Sequence, residues 1–380
     1  MWRIRKVINI MCFTFFKLLP VTRNRVLYMS HYGKEFSDSP LEIYRSLSND
    51  NKSIEHVIVL NDAYYQSKIQ DKNVQFVKFG SMKYYFYCAT SKLWIFNVTT
   101  SEFMKPRRET FYLQTWHGIP LKKIGNDIID ETLKTEKRRW ILSAKYWDMF
   151  LSPSKYFDRF FQSAFEIDDR VIRNQGLPRE DFFLVNTDEK IKTIKKDLNL
   201  LDGKINVLYA PTFRQDGMLG FPYPIDLKKF SENLGNNYRI LVKLHPNITA
   251  NDSYKSDNVI YFKSNTDVNR LLLVSDVLIT DYSSLFFDYS LLKNSMVFFA
   301  YDLNQYQTSE RGFYFDYENF VPGPIVKTQE ELESEVKKQG WNTPIYQDRY
   351  NYLKSIISSN NNSSTIDLCN FLISEVLVIE

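Results

Sequence analysis

The sequence is poor in the residues that build several common kinds of site. Its three cysteines, Cys12, Cys88 and Cys369, are far apart and form no disulfide or zinc pattern, which fits a reducing compartment. The 380 residues contain no Walker loop, no G-x-G-x-x-G fingerprint and no cluster of Asp, Glu and His at metal-ligand spacing. We therefore expect the protein to work with neither a metal ion nor a bound cofactor.

The sequence also lacks a large net charge and a long hydrophobic run. The net charge of +4 is too small for the basic surface of a nucleic-acid-binding protein, so no nucleic-acid partner is expected. An apolar run at residues 7–16 is interrupted by Asn9 and Thr14 and is too short for a transmembrane helix. Residues 1–25 nevertheless carry only basic charges, at Arg3, Arg5, Lys6, Lys17, Arg23 and Arg25.

This N-terminal segment has the pattern of a helix that lies in a membrane interface. Apolar residues recur along one predicted side, and basic residues stand at the ends. We expect residues 1–20 to form an amphipathic helix on anionic lipid, with six residues as membrane contacts: Trp2, Arg3, Arg5, Lys6, Phe15 and Phe16. A core helix and a signal sequence are the alternatives, although no small-residue cleavage site follows the apolar run.

Hydrophobic and aromatic residues are abundant, at 44% and 16%, which is ample for two cores. Short β-like runs alternate with helical segments, and this rhythm predicts parallel sheets covered on both faces. The predicted strands are 25–30, 56–60, 74–79, 92–98, 110–116, 147–151, 205–210, 238–244, 259–262, 277–280 and 296–300. A polar, lysine-rich stretch at 186–203 separates a domain at 21–185 from one at 186–350, and residues 351–380 form a closing helical segment.

The stretch 280–289, TDYSSLFFDY, marks a turn from a buried strand to a helix. Such a turn presents free backbone N–H groups, which suit a phosphate. Ser283 and Ser284 can bond a phosphate oxygen there, with Asp281 and Asp288 beside them. Serine is also a favoured helix N-cap, so capping alone is the competing interpretation.

Two of the four histidines stand in polar turns just after predicted strands. His117 lies in TWHGIP and His245 in KLHP, one in each predicted domain. An imidazole titrates near neutral pH and can take a hydroxyl proton, so both are candidate catalytic residues. His56, inside an apolar strand, is expected to be structural, and the role of His31 is left open.

Basic residues near these turns would suit a phosphorylated substrate. Lys122 and Lys123 follow His117 closely, although a solvated basic loop explains them equally well. Arg214 and Arg311 follow predicted strands or loops of the second domain and could pair with a phosphate. A metal-free transfer at phosphorus needs groups of these kinds to stabilise charge.

Six motifs run in order over nearly all of residues 30–326: GKEFSDSP at 33–40, TWHGIPLKKIGND at 115–127, YAPTFR at 209–214, KLHP at 243–246, SDVLITDYSS at 275–284, and RGFYFD at 311–316 leading to PGP at 322–324. With these motifs the sequence resembles the CDP-glycerol glycerophosphotransferase family, the teichoic-acid primases and polymerases of Gram-positive bacteria. Ile119 departs from the family pattern, which commonly has Thr there.

The resemblance implies an α/β fold of the GT-B type, in which two doubly wound Rossmann-type domains face a cleft. It implies transfer of glycerol phosphate from CDP-glycerol to a hydroxyl of a lipid-linked acceptor, either an undecaprenyl-diphosphate disaccharide or a growing poly-alditol phosphate, with release of CMP. Such enzymes are peripheral on the cytoplasmic face of the membrane. CDP-ribitol as donor is the closest alternative, and a sugar-nucleotide glycosyltransferase or a non-catalytic surface-polymer-binding protein are more distant ones.

The resemblance and the turn positions together assign roles to residues. His117 is the expected base and His245 stabilises phosphate charge. The donor is expected on Arg214, Asp281, Ser283, Ser284, Asp288 and Arg311. The acceptor is expected on Lys34, Asp38, Gly118, Lys122 and Lys123.

Overall fold

A computed structural model describes residues 2–50, 53–62, 66, 69, 73–184, 187–212, 224–243, 256–263, 266–309, 312–338, 343–357 and 364–378. The chain folds into two compact units. Unit 1 consists of Met1–His117, Ile124–Phe182 and Ser358–Glu380, and unit 2 of Gly118–Lys123 and Phe183–Ile357.

Each unit is built on a parallel sheet whose strands are the apolar runs of the sequence. In chain order the strands are β1 Thr22–Met29, β2 Glu55–Val59, β3 Val74–Val77, β4 Ser91–Phe96, β5 Phe111–Gln114, β6 Met149–Leu151, β7 Ile172–Arg173, β8 Ile205–Tyr209, β9 Tyr238–Lys243, β10 Val259–Phe262, β11 Val277–Thr280, β12 Ser295–Phe299 and β13 Ile325–Val326. Every predicted strand is present. The additional strands β7 and β13 are two residues long, too short to give a periodic pattern.

The helices follow the strands as in βαβ units. They are α1 Trp2–Phe16, α2 Asp38–Asp50, α3 Met82–Thr90, α4 Lys134–Ala144, α5 Lys155–Phe165, α6 Pro178–Leu184, α7 Thr187–Asp197, α8 Leu227–Leu234, α9 Val268–Leu273, α10 Leu285–Tyr289, α11 Leu303–Ser309, α12 Tyr317–Phe320, α13 Gln329–Lys338, α14 Pro344–Ile357 and α15 Ser364–Phe371.

Both sheets have the doubly wound strand order. In unit 1 the order is β3-β2-β1-β4-β5-β6-β7, and in unit 2 it is β10-β9-β8-β11-β12-β13. All the strand pairs are parallel. The prediction of two Rossmann-type α/β domains is therefore confirmed. The strand order reverses between β1 and β4 in unit 1 and between β8 and β11 in unit 2, and ligands of such sheets bind at these switch points.

The units differ from contiguous sequence ranges in two places. Residues 118–123, expected in the first domain, belong to unit 2, where Lys122 pairs with Phe313 in an antiparallel bridge. The C-terminal segment returns to unit 1: α15 continues into a π-helical turn at Leu372–Leu377, and the Cys369 thiol lies 3.9 Å from the Ile43 carbonyl of α2. The segment packs on unit 1 because its apolar side chains, such as Leu372 and Leu377, are buried there.

Helix α1 packs one side on unit 1 and leaves the other open. Phe13 is buried, and Phe16 packs edge-on against Phe86 of α3 with ring centroids 5.6 Å apart. The opposite side is an apolar stripe at helical spacing, with side chains between 51% and 66% exposed: Ile4, Val7, Ile8, Met11 and Phe15. No helix of the described residues is both long and apolar enough to cross a bilayer.

Candidate active site

Three polar residues of unit 1, of which only His117 was predicted as a site residue, follow strands at or beside its switch point. His31 comes just after β1, Asn97 just after β4 and His117 shortly after β5. Because the carboxyl ends of parallel strands lie at one edge of the sheet, these residues are neighbours although the sequence separates them widely. The His31 N–H donates to Asn97 Oδ1 at 2.9 Å, a bond that spans the switch point directly.

The imidazole of His117 is held in an orientation suited to a base. Its Nδ1 lies 2.9 Å from the backbone carbonyl oxygen of Asn97. A carbonyl can only accept, so Nδ1 carries the proton and the neutral ring presents its lone pair at Nε2. The Trp116 ring lies beside it, with centroids 4.3 Å apart. His117 thus has a fixed tautomer, and its side chain is exposed to solvent.

A buried polar cluster stands next to His117. Asp38 is 6% exposed and bonds three partners: its Oδ2 lies 2.8 Å from His31 Nε2 and 3.0 Å from Asn97 Nδ2, and its Oδ1 lies 3.2 Å from Arg179 Nη1. The rings of His31 and His117 meet edge to face with centroids 6.2 Å apart. Asn97 therefore connects both histidines, through its side chain to His31 and through its carbonyl to His117.

The cluster sets the charges of its members. Burial alone would raise the pKa of the Asp38 carboxyl, but the Arg179 guanidinium and the bond from His31 hold that pKa far below its usual range. Burial would lower the pKa of His31, yet the hydrogen bond to Asp38 and its charge, together with Glu35, raise it overall. These contacts favour the ionised form of Asp38 and shift His31 toward its protonated form.

The pKa of His117 moves in the opposite direction. Removal of water by the surrounding protein lowers it, and the positive charge of His31 lowers it further, against the bond to the Asn97 carbonyl. The ring is also open to solvent, and water at that face limits the fall. His117 is accordingly neutral, and able to accept a proton, at lower pH than a free histidine.

Backbone strain concentrates at this site. His31, Tyr32, Asp38 and Trp116 all have positive φ, between 46° and 59°. Such conformations cost on the order of 1–3 kcal/mol each for residues other than glycine and persist where the surrounding contacts enforce them. The packing and hydrogen bonds of unit 1 therefore hold these side chains in place against local preference.

Unit 2 has a matching arrangement at its own switch point. Asp281, after β11, is buried and its Oδ1 accepts from the backbone N–H groups of Thr212, after β8, at 2.8 Å and of Tyr282 at 2.6 Å. The Tyr317 hydroxyl donates to the Asp281 carbonyl at 3.0 Å. Asp281 ties the two central strands of the sheet together and so shapes the turn that holds the serines.

Neither serine of this turn is a strong helix cap. Ser284 directly precedes α10 without a capping bond from its side chain, and Ser283 Oγ only approaches the Leu285 N–H at 3.4 Å. Both side chains are partly exposed. Helix α10 is five residues long, so its dipole contributes little, and the hydroxyls are the groups best able to bind an anion. Asp288 is buried within α10, and a direct donor contact for it stays a prediction.

The basic residues after His117 lie in unit 2. Lys122 Nζ donates to the Tyr306 hydroxyl at 3.2 Å, and the Lys123 N–H donates to the Gly312 carbonyl at 3.0 Å. Gly118 has φ of 143°, which favours glycine. Lys34 is exposed in unit 1. An acceptor role for these residues stays a prediction. An acceptor contact of Asp38 also stays a prediction, and in the structure its carboxylate is buried and bonds Arg179, His31 and Asn97.

Several predicted site residues lie outside the described residues, namely Arg214, His245 and Arg311, as do the side chains of Trp2 and Arg3. Of the predicted membrane contacts, Arg5, Lys6 and Phe15 are exposed, whereas Phe16 is on the packed side of α1. Arg5 and Lys6 also line a pocket of about 930 Å³ with Tyr85 and Arg139.

Within the described residues, no group of three or more His, Cys, Asp or Glu side chains is placed to hold a metal ion.

Sequence reasoning did not identify three members of the cluster, His31, Asn97 and Arg179. Asn97 and His31 could have been found, because both are polar residues directly after strands that flank the switch point. Arg179 follows a two-residue strand and lies 141 positions from Asp38, so no local pattern connects it to the site.

Comparison with known proteins identifies the family. The sequence model of the CDP-glycerol:poly(glycerophosphate) glycerophosphotransferases matches residues 11–367. The teichoic acid poly(glycerol phosphate) polymerase of Bacillus subtilis strain 168 is 34% identical over 92% of this chain, which spans about half (49%) of that relative. The teichoic acid glycerol-phosphate transferase of Staphylococcus aureus strain NCTC 8325 is 35% identical over 88% of this chain and 89% of its own length.

A solved structure agrees with both sequence comparisons. It is that of the wall teichoic acid polymerase TagF, as a histidine-to-asparagine variant soaked with CDPG. It superimposes with a TM-score of 0.86 at 29% identity, over 97% of this chain and 94% of that one. The chain belongs to the CDP-glycerol:poly(glycerophosphate) glycerophosphotransferase family.

Proposed function

We propose that the protein transfers glycerol phosphate from CDP-glycerol to a hydroxyl of a lipid-linked acceptor in teichoic acid synthesis. The acceptor oxygen attacks the phosphorus that carries glycerol and forms a new P–O bond. The bond from that phosphorus to CMP breaks, CMP leaves with the electron pair, and the acceptor proton passes to the base. Family membership and the orientation of His117 support this proposal.

In this mechanism unit 1 supplies the base. His117 uses Nδ1 to bond Asn97 and accepts the proton of the attacking hydroxyl at Nε2. A neutral imidazole is needed for that step, and the lowered pKa of His117 favours it. His245 is the expected partner that stabilises charge on the transferred phosphate.

Unit 2 supplies the donor contacts. Ser283 and Ser284, on the turn shaped by Asp281, bind the pyrophosphate of CDP-glycerol, together with Arg214 and Arg311. The serine hydroxyls support this role, because Ser284 makes no capping bond and Ser283 accepts only a long bond of 3.4 Å from the Leu285 N–H. A hydrogen bond to a charged phosphate oxygen is stronger than one between neutral groups. These groups would stabilise the negative charge that develops on the transferred phosphate.

Helix α1 is proposed to hold the enzyme on the cytoplasmic face of the membrane. Its exposed apolar stripe would bury side chains such as Ile8 and Met11 in the lipid interface. Arg5 and Lys6 would add about 1 kcal/mol each by attraction to anionic lipid. This position would bring the active site to a lipid-linked acceptor.

The single experiment that tests the activity measures the released nucleotide. The protein is incubated with CDP-glycerol and a lipid-linked acceptor, and in parallel with CDP-ribitol and with UDP- or GDP-sugars. We expect CMP from CDP-glycerol and a product longer by glycerol phosphate. Release of CMP from CDP-ribitol but not from CDP-glycerol would identify CDP-ribitol as the donor. Release of UDP or GDP would contradict phosphotransfer altogether.

A further inference from the structure

We propose that His31 forms a phosphate subsite for the acceptor: it binds the phosphodiester next to the terminal hydroxyl that His117 deprotonates. The inference rests on the proposed function and adds a residue that would distinguish an acceptor ending in an alditol phosphate from one without that phosphate. His31 would then be a substrate contact in addition to a member of the buried cluster.

Within the part of the chain that the structure describes, the polar ring contacts of His31, to Asp38, Asn97 and Glu35, are all made at Nε2. Nε2 lies 2.8 Å from Asp38 Oδ2, which fixes the ring. Nδ1 is across the imidazole from that bond, and about a third of the side chain is exposed. In the imidazolium both nitrogens carry protons, so Nδ1 is then a charged donor suited to a phosphate oxygen.

The surrounding charges keep this donor cationic. The groups that face His31 are Asp38, Glu35 at 3.5 Å, Arg179 beyond Asp38, and His117. Asp38 is shared between two cations, so Arg179, Asp38 and protonated His31 together carry one net positive charge. Glu35 opposes an anion and is the less buried of the two acids. The pKa of His31 is raised by these contacts, which favours the charged form near neutral pH.

The distance between the two histidines fits a glycerol phosphate unit. Their ring centroids are 6.2 Å apart. The free hydroxyl and the phosphate of a terminal glycerol phosphate stand at opposite ends of a short carbon chain, which can bridge a gap of that order. His117 would contact the hydroxyl and His31 the phosphate, so the pair would orient the nucleophile. The strained backbone at His31 and Tyr32 is consistent with a contact that the fold maintains.

The kinetic test uses two lipid-linked acceptors, one ending in glycerol phosphate and one without phosphate. His31→Gln retains an N–H for Asp38 but loses the charge. We expect this variant to lose about 10- to 100-fold in kcat/KM with the phosphate-terminated acceptor, the effect of one charge-assisted hydrogen bond, and much less with the other. The matched control is His56→Gln, because His56 is a buried histidine of unit 1 that bonds Tyr28 away from the site. An equal loss with both acceptors would overturn the proposal.

A binding measurement separates this inference from the proposed function. The measurement is an NMR titration of the imidazole protons, which gives few resonances because the protein has four histidines. The resonance that is missing in His31→Gln is assigned to His31. Added glycerol phosphate should shift that resonance and raise its pKa, and the KM for the phosphate-terminated acceptor should rise as His31 loses its proton at higher pH. No shift with glycerol phosphate refutes the subsite even if CMP is released. Absence of CMP release with every acceptor refutes the proposed function instead.

Discussion

Replacement of His117 by alanine tests the mechanism most directly. Loss of a general base typically reduces the rate by ~10²–10⁴, or about 2.7–5.4 kcal/mol in the barrier at 1.36 kcal/mol for each factor of ten. The stability cost should be small, because the ring is exposed and its hydrogen bond to the Asn97 carbonyl is worth only about 0.5–1.5 kcal/mol. The affinity for CDP-glycerol should stay within a factor of about two to three, since the donor contacts lie in unit 2.

The pH dependence adds a second signature. A base works when it is neutral, so the rate falls as pH drops through the pKa of His117. An ordinary histidine would place this acidic limb near pH 6 to 7. Since the pKa of His117 is lowered in the fold, we expect the limb below that range. His31→Gln removes a positive neighbour and should move the limb back toward higher pH.

The assay is the initial rate of CMP release over a range of pH for the wild type, His117→Ala and the control His56→Gln. The alanine variant should lose both the rate and the acidic limb, and the control should keep both. A near-normal kcat in His117→Ala, or an acidic limb that survives it, would refute the assignment. His245 would then become the candidate base.

Three further predictions follow from the geometry. Asp38→Asn removes the buried carboxylate that lies 3.2 Å from Arg179 and should cost about 3–5 kcal/mol in the free energy of unfolding at pH 7 by urea titration. Because the folded-state pKa of Asp38 is depressed, the wild type has this stabilisation above pH ~4 and loses it as the pH falls, whereas the variant should lack that part of the pH dependence. Ser284→Ala should weaken CDP-glycerol binding by about 1–3 kcal/mol in calorimetric titration, and unchanged affinity would remove it from the donor site. Met11→Glu on the exposed stripe of α1 should reduce binding to anionic liposomes with little effect on stability, and a point substitution is preferable to deletion of residues 1–20 because Phe13 packs into unit 1. Equal liposome binding by this variant would contradict the membrane role of the stripe.

The sequence by itself determined the elements and most of their order. Apolar runs such as 277–280 form strands because their side chains can be buried on both faces of a parallel sheet, and this pattern is local. The polar residues directly after those runs marked the turns at His117 and Ser283, because the change from apolar to polar residues is also a local pattern. The motifs added the family, which the comparisons confirmed.

Only the tertiary structure decided which distant residues meet. Strand order in a parallel sheet depends on how crossover helices pack, so His31 and Asn97 become neighbours because β1 and β4 are adjacent, not because of any spacing in the sequence. The ion pair of Asp38 with Arg179 from α6 also depends on the fold, because 141 positions separate the two residues in the sequence. Likewise, the return of the last helix to unit 1 was decided by the apolar surface that it covers there. Periodicity along the chain records which side of an element is buried, but not the element against which it is buried.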